Sequence, residues 1–147
     1  MTNIEKTKSM CEAFMRGDIP ALFEHFADDI EWDYDSLNDV PWYRPRRGKA
    51  EVAGFFECLA QVEMTQWEPT LYLGEGDLAV VVLDSDYRIK SNGRRVVYKD
   101  CLLLFQFNAA GKLARFNHRV DLFPGWLAYH DRSPECGDAK AEMAFGL

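Results

Sequence analysis

The sequence predicts an α+β domain in which three N-terminal helices pack on a curved, mainly antiparallel β-sheet. Up to about residue 62 the apolar residues recur with helical spacing, and beyond it they alternate as in strands. Four segments of the second half, 64–73, 78–90, 94–107 and 112–122, are separated by turn sequences rich in Gly, Asn and Asp. Such long strands have to curve, and a curved sheet with helices across it forms a cone-shaped roll that encloses a cavity.

The three helices are delimited by capping and breaking residues. Thr2 and Glu5 form a capping-box sequence at the start of the first helix, and Gly17 ends it. Asp18 is placed to cap a short second helix. The third helical pattern covers residues 49–62.

Between the second and third helices the sequence predicts one strand and a long loop. Residues 30–34 alternate as a half-buried strand does. Residues 35–48 follow as a loop of the length that often covers a binding site. Farther along, Pro69 lies inside the first segment of the second half, which indicates an edge strand or a bulge.

Length and charge bound the possible functions. The chain has 147 residues, enough for one domain, which we place at 1–128 with 129–147 as a C-terminal extension of the same domain. The net charge of -7 argues against a nucleic-acid-binding surface. The sequence has no apolar run long enough to span a membrane and no apolar signal segment at its polar N-terminus.

The cysteines predict a reducing compartment. The four cysteines are far apart and form neither a CxxC motif nor a dense disulfide framework. Reduced thiols in a cytoplasmic protein are therefore expected. We expect no cofactor, because the sequence has no glycine-rich phosphate loop. We expect no metal either, because His118 and Asp121, three apart on a strand, point to opposite faces.

The turn residues allow the register of the last strands to be predicted. With Asn92-Gly93 as a two-residue turn, Asp84 lies opposite Cys101, and with residues 108–111 as the next loop, Cys101 lies opposite His118. One bulge would exchange the faces. The predicted first face carries Asp84, Asp86, Lys99, Cys101, Leu103, Phe116, His118 and Val120.

Three stretches of the sequence resemble a known family. Residues 26–32 resemble the helix-to-strand junction of nuclear transport factor 2-like domains, 48–56 the start of their third helix, and 108–113 their last hairpin. The chain is therefore identified as a member of this superfamily, and specifically as similar to its SnoaL-like domains, which are related to polyketide cyclases and ketosteroid isomerases. The resemblance implies a cystatin-like cone with a small apolar molecule in its internal cavity.

The resemblance also implies which side chains line that cavity. It places the first face, with Cys101, Phe116, His118 and Val120, toward the ligand. It places Trp32 and Tyr34 of the first strand on the same side, below Phe14 and Phe55 of the helices. In such a cavity His118, beside Asp84 and Cys101, could transfer protons near neutral pH. The alternative is a core histidine with one satisfied hydrogen bond.

The acidic residues distinguish branches of the family. The general-base Asp of ketosteroid isomerases corresponds to Tyr34 in this chain, which lies between Asp33 and Asp35. Their oxyanion-binding Asp corresponds to Leu103. We therefore do not expect ketosteroid isomerase activity. SnoaL-like cyclases carry an acid–base Asp at the end of the last strand, where this chain has Asp121. Strict alternation points Asp121 away from the cavity, and a solvated carboxylate is the alternative role.

Two classes of function follow. The first is a cofactor-independent isomerase, cyclase or dehydratase that acts on an apolar, oxygenated substrate, with His118, Asp84 and Asp121 as the candidate catalytic residues. The second is a non-catalytic domain that binds a ligand or a partner. A homodimer is expected in either case, because residues 101–105 are apolar on both faces while helices cover one. The resemblance places Leu102 and Leu104 in the contact between sheets.

Overall fold

The computed structural model describes residues 1–33 and 39–132, and they form an α+β fold. The helices are α1 (Asn3–Met15), α2 (Ile19–Phe23), α3 (Gly48–Cys58) and α4 (Phe123–Tyr129), with 3-10 turns at Pro41–Tyr43 and Leu59–Gln61. The strands are β1 (Phe26–Trp32), β2 (Arg46–Arg47), β3 (Val62–Glu75), β4 (Leu78–Ile89), β5 (Arg95–Phe107) and β6 (Leu113–Arg119). No helix in the described ranges is long and apolar enough to cross a membrane.

The local signals for the first two helices are confirmed. The Thr2 hydroxyl accepts from the Glu5 backbone N–H at 3.1 Å, and the Glu5 carboxylate accepts from the Thr2 N–H at 2.8 Å. This reciprocal pair satisfies two backbone donors that the first turn leaves without partners. The Asp18 carboxylate caps α2 by accepting from the Ala21 N–H at 3.1 Å. Gly17 supplies the positive φ of 76° between the two helices.

The sheet is curved and mixed, with strand order β2-β1-β6-β5-β4-β3. Only β1 and β6 pair in parallel among the described strands, so the prediction of a mainly antiparallel sheet is confirmed. Pro69 lies on β3, at the edge of the sheet, and the pairing with β4 shifts between Pro69 and Leu71. The sheet tolerates the missing N–H of Pro69 because this residue lies on an edge strand and next to a bulge.

The predicted register of the β4–β5 hairpin is wrong. Residues 90–94 form a longer loop than the expected two-residue turn, so that Arg88 pairs with Arg95. Asn92 is engaged elsewhere: its carboxamide oxygen accepts from the Arg94 N–H at 2.9 Å, and its nitrogen donates to the Ala128 carbonyl at 2.8 Å. Asn92 was expected to form the tight turn, but its side chain binds α4 instead.

A bulge then breaks the alternation of β5. Cys101 pairs with Leu83, and the pairing shifts between Leu83 and Ser85. Asp100 has a positive φ of 55°, and its N–H donates to the Asp84 carboxylate at 2.9 Å. The expected row of Asp84, Cys101 and His118 is therefore not formed, because His118 pairs with Leu103 instead.

The helix α4 was not predicted. It begins where the Asp121 carboxylate accepts from the Phe123 N–H at 3.0 Å, and Pro124 occupies its first turn. Proline is favoured there because the first-turn N–H groups have no partner within the helix. Gly125 is needed on the side that meets the domain, since a Cβ atom at this position would lie 2.2 Å from the Tyr43 hydroxyl.

Candidate active site in the apolar cavity

The concave face of the sheet and the helices surround a cavity that is lined mainly by aromatic and aliphatic side chains. The cavity has a volume of about 110 Å³ and is open at its mouth. The helices contribute apolar residues such as Phe14 and Phe55, and the strands contribute the rest of the wall. The polar side chains of the lining are few and comprise Tyr43, Ser85, Tyr87, Tyr98, Cys101 and His118. A mostly apolar cavity with a small number of polar groups is typical of small-molecule sites.

Most residues expected around the ligand lie in this wall. The cavity-lining set includes Phe14, Trp32, Phe55, Cys101, Phe116, His118 and Val120. Tyr34 falls outside the described residues. Asp84 and Asp121 are not among the lining residues.

His118 is held at two points by Asp33, a residue that the sequence analysis considered only as a neighbour of Tyr34. One oxygen of the Asp33 carboxylate accepts from the His118 backbone N–H at 2.7 Å. The other lies 2.7 Å from Nδ1 of the imidazole. Because an ionised carboxylate only accepts hydrogen bonds, this contact assigns the proton of the neutral ring to Nδ1. The other ring nitrogen, Nε2, makes no hydrogen bond with the described residues.

The parallel pairing of β1 with β6 positions this pair. Trp32 lies opposite Phe116, and the Asp33 N–H donates to the Phe116 carbonyl at 2.9 Å. Asp33 follows the last residue of β1 and has a positive φ of 50°, which turns its side chain out of the strand's alternation. Asp33 is 1% exposed, whereas the His118 side chain is 23% exposed. The carboxylate is thus sealed in, and the imidazole is the accessible partner.

Aromatic rings enclose the imidazole. The ring centroid of His118 lies 4.8 Å from that of Phe116 in an edge-to-face arrangement, 5.7 Å from Phe55 and 6.4 Å from Trp32. These contacts limit the orientations of the ring. An oriented imidazole with an orienting carboxylate can take a proton from a bound molecule at Nε2 and return it.

The other two acidic candidates contact the backbone of the surrounding elements. Asp84 accepts the N–H of Asp100 at the β5 bulge, and Asp121 accepts the N–H of Phe123 at the start of α4. Neither of these hydrogen bonds involves His118, whereas the Asp33 carboxylate contacts both the backbone and the ring of His118. The geometry therefore favours Asp33 as the partner of the histidine.

A hydrogen-bonded aromatic cluster forms another part of the wall, and the sequence analysis did not identify it. The Tyr43 hydroxyl lies 3.1 Å from that of Tyr87 and 2.6 Å from that of Tyr98. The Trp42 indole N–H donates to the Tyr87 hydroxyl at 3.1 Å. We call Trp42, Tyr43, Tyr87 and Tyr98 the tyrosine cluster. Its members come from a 3-10 turn, β4 and β5, so no local sequence pattern joins them.

Burial keeps the tyrosine cluster neutral. Desolvation raises the pKa of Tyr87 to about 12, against an ordinary value of 10.0. It also raises the pKa of Tyr43 and of Tyr98 well above the usual range. At neutral pH the cluster therefore presents phenol O–H groups and no phenolate.

Cys101 is a neutral thiol in the same wall. Its Sγ donates to the Leu83 carbonyl at 3.2 Å. Burial raises the pKa of this thiol to about 11, which disfavours the nucleophilic thiolate. Within residues 1–33 and 39–132, no three His, Cys, Asp or Glu side chains converge as the ligands of a metal ion would.

Known proteins provide an independent comparison. The sequence matches the family model of the SnoaL-like domain over residues 7–116. The fold is similar to that of a nuclear transport factor 2-like protein from Burkholderia xenovorans, with 25% sequence identity, a TM-score of 0.74, and coverage of 86% of this chain and 94% of that one. No protein of curated function matches the sequence significantly.

Two further solved structures have the same architecture. A nuclear transport factor 2-like protein of unknown function from Burkholderia pseudomallei is 23% identical, with a TM-score of 0.75, and the match covers 87% of this chain and 98% of that one. A protein described as a SnoaL-like polyketide cyclase from Mesorhizobium loti is 24% identical, with a TM-score of 0.64 and coverage of 80% and 97%. At these identities the likeness establishes the fold.

The family match spans most of the chain, and the helices on a curved sheet around an apolar cavity agree with it. This chain belongs to the SnoaL-like domain family, within the nuclear transport factor 2-like fold.

Proposed function

We propose that this protein binds a small, largely apolar, oxygenated molecule in its cavity and catalyses a cofactor-independent isomerisation, cyclisation or dehydration. His118 transfers the proton, and Asp33 is the positioning residue that orients it. The observation that carries the proposal is the contact of Asp33 with both the backbone and the imidazole of His118, at 2.7 Å each, in a wall that is otherwise mainly apolar.

The chemistry follows from the tautomer. With Nδ1–H bound to the carboxylate, the lone pair of Nε2 is available to accept a proton from a carbon or oxygen of the ligand. The protonated imidazole can then return the proton to another atom of the same molecule, which accomplishes an isomerisation, or to a leaving hydroxyl, which accomplishes a dehydration. The polyketide cyclase described among the structural relatives supports a reaction of this class.

A panel of cyclic ketones and phenols tests the proposal. Binding is followed by tryptophan fluorescence, and turnover by proton–deuterium exchange and product analysis. The substitution His118→Gln keeps approximate size and hydrogen bonding, so we expect it to retain binding and to lower turnover about a hundredfold or more. Phe14→Leu is the matched control, because Phe14 lines the same cavity but its ring packs on Phe56 and Trp67, and its turnover should change far less.

Two results would count against catalysis by His118. A His118→Gln variant that keeps its turnover within a few fold would show that the histidine is structural. If members of the panel bind tightly to the wild-type protein but none of them undergoes proton exchange or turnover, the alternative of a non-catalytic ligand-binding domain is favoured. The same turnover assay, applied to variants of each residue, compares the catalytic roles predicted for Asp84 and Asp121 with the positioning role of Asp33.

We also propose a homodimer through the outer face of the sheet. Register places Leu71 beside Val82 and Val82 beside Leu102, which makes an apolar row across three strands. Leu102 is 39% exposed. A second row joins Leu73, Val80 and Leu104. Contiguous apolar area of this kind on a sheet face is typical of an interaction surface.

The dimer is tested by sedimentation at tens of micromolar. We expect Leu102→Glu to shift the protein from dimer to monomer, because a carboxylate would be desolvated in the contact. Met15→Glu is the control, since Met15 is an exposed apolar residue on α1 and away from the sheet face. A monomeric wild-type protein would refute the proposal.

We further propose a cytoplasmic location. The three cysteines in the described ranges, Cys11, Cys58 and Cys101, are free thiols, which supports a reducing compartment. Fractionation of cells that express the protein, with mass measurement of alkylated thiols, is the direct test. Recovery outside the cytoplasmic fraction or in a disulfide-bonded form would contradict it.

A further inference from the structure

The cover over the concave face of the sheet ends at the edge strand β3. On β4, Tyr87 and Ser85 line the cavity and are 7% and 6% exposed. Their register partners on β3, Met64 and Trp67, line the cavity as well. Met64 is nevertheless 37% exposed, and Trp67 is only partly buried. A side chain that borders both the cavity and solvent marks an opening, so the cavity opens between β3 and the helices.

The ends of two helices lie at this stretch of β3. Phe14 belongs to the last turn of α1 and Phe56 to the last turn of α3, and both line the cavity while remaining partly buried. The ring centroid of Phe14 lies 4.7 Å from that of Trp67 and 6.3 Å from that of Phe56. The three rings therefore span the opening from β3 to α3.

Only ring packing closes this opening. The contacts of Phe14 with Trp67 and Phe56 have the spacing of ordinary aromatic pairs. The indole N–H of Trp67 forms no hydrogen bond with the described residues. A ring can therefore turn aside without breaking a hydrogen bond, and side chains with solvent on one side change rotamer rapidly.

An aromatic path leads from these rings to the imidazole. The ring centroid of Phe56 lies 5.1 Å from that of Phe55 and 5.7 Å from that of Trp32. Phe55 and Trp32 in turn lie 5.7 and 6.4 Å from the ring of His118. One layer of rings thus separates the opening from His118, and the cavity lining along the way contains no charged carboxylate, ammonium or guanidinium group.

We infer that Phe14, Phe56 and Trp67 form an aromatic gate through which the ligand enters the cavity, and that displacement of these rings limits the rates of binding and release. The inference rests on the proposed function in that the cavity binds an apolar ring compound, but it requires no turnover. A gate is crossed in both directions, so it changes the association and dissociation rate constants by the same factor and leaves the dissociation constant unchanged.

Widening the gate is the first test, with 2-naphthol as the fluorescent probe in stopped-flow measurements. Trp67→Ala removes the ring that packs on Phe14. We expect both rate constants to rise about tenfold, with the dissociation constant within about threefold of wild type. Leu103→Val is the matched control, because Leu103 lines the cavity on the interior strand β5 and is 2% exposed. It should change the dissociation constant mainly through the dissociation rate constant.

Blocking the opening should have the opposite effect. Met64 is the most exposed of the cavity-lining residues, so alkylation of a Met64→Cys variant with a bulky maleimide places the added group at the mouth. We expect both rate constants for 2-naphthol to fall about tenfold or more. Val97→Cys, alkylated in the same way, is the control, because Val97 is 52% exposed and lies outside the cavity lining. It also corrects for labelling of the native cysteines.

The results distinguish the gate from another entrance. Tyr98 and Val120 line the cavity and are partly buried too, which provides a second route. Unchanged rate constants in both Trp67→Ala and the alkylated Met64→Cys variant would overturn the gate and favour that route. A change in the dissociation rate constant alone in Trp67→Ala would show that Trp67 is part of the wall. If Trp67→Ala does not fold, the alkylated Met64→Cys variant decides alone.

The gate and the proposed catalysis can fail separately. Gated rates for 2-naphthol in a protein that exchanges no proton with any bound compound would support the gate and refute proton transfer by His118. Turnover that depends on His118, with rate constants that Trp67→Ala leaves unchanged, would support catalysis and overturn the gate. A wild-type protein that binds neither 2-naphthol nor any other member of the panel would refute both.

Discussion

The carboxylate of Asp33 divides its two oxygens between the backbone and the side chain of His118, each at 2.7 Å. The backbone contact fixes the distance between the ends of β1 and β6, and the contact with Nδ1 fixes the orientation of the ring. The same residue thus couples strand pairing to the orientation and the tautomer of the imidazole.

Replacing this carboxylate by an amide should separate the two roles. In Asp33→Asn the oxygen can still accept the His118 N–H, so we expect the free energy of unfolding to change little. The amide nitrogen can donate toward Nδ1, which moves the ring proton to Nε2 and removes the lone pair needed for proton abstraction. Turnover should fall about a hundredfold or more, and nitrogen NMR of the imidazole should show the exchanged tautomer. An unchanged tautomer with turnover within a few fold of wild type would refute the role given to Asp33.

Asp84 provides the contrasting case. Its carboxylate accepts the N–H of Asp100, whose positive φ marks the bulge of β5. We expect Asp84→Ala to lower the free energy of unfolding by about 1 kcal/mol through loss of this bond. Turnover per folded molecule should stay within a few fold, as measured in parallel with Asp33→Asn. A hundredfold loss in Asp84→Ala, but not in Asp33→Asn, would restore Asp84 as the acid–base partner.

Gly125 is predicted to be intolerant of a side chain. A Cβ atom there would lie 2.2 Å from the Tyr43 hydroxyl and 3.0 Å from two of its ring carbons, so α4 or the tyrosine must move. We expect Gly125→Ala to lower the free energy of unfolding by about 1–3 kcal/mol in urea denaturation. Gly54→Ala is the control, because its new Cβ atom would meet only the Arg46 Nε at 3.6 Å. Equal effects in both variants would contradict the close packing of α4 on Tyr43.

The tyrosine cluster should make stability sensitive to alkaline pH. The pKa of Tyr87 in the folded protein is about 12, raised first by burial, against about 10.0 in the unfolded chain. A raised pKa contributes stability that is fully present below the unfolded value and is lost as pH rises through the folded value. The free energy of unfolding should therefore fall from about pH 10 upward, and less steeply in Tyr87→Phe. Full ionisation of the three phenols near pH 10, seen by ultraviolet absorbance of the folded protein, would contradict this.

Much of the architecture follows from short-range signals. The capping box of Thr2 and Glu5 and the cap at Asp18 concern neighbours in the chain, so these helix starts are predictable from sequence. The cavity-facing positions of Phe116, His118 and Val120 were implied by resemblance and agree with the wall of the cavity. Pro69 had only an edge or a bulge available to it, because it lacks an N–H.

The sequence by itself therefore determined the three N-terminal helices, the long strands and the apolar character of the cavity, since these depend on local hydrogen bonds and on periodicity. Only the tertiary structure decided the partner of His118 and the faces of β5. Asp33 reaches the histidine because β1 and β6 pair in parallel and its φ is positive. Tyr98 and Cys101 both reach the cavity because Asp84, from another strand, holds the bulge at Asp100. Contacts between residues distant in the chain leave no periodic signal, and they determine which side chains meet the ligand.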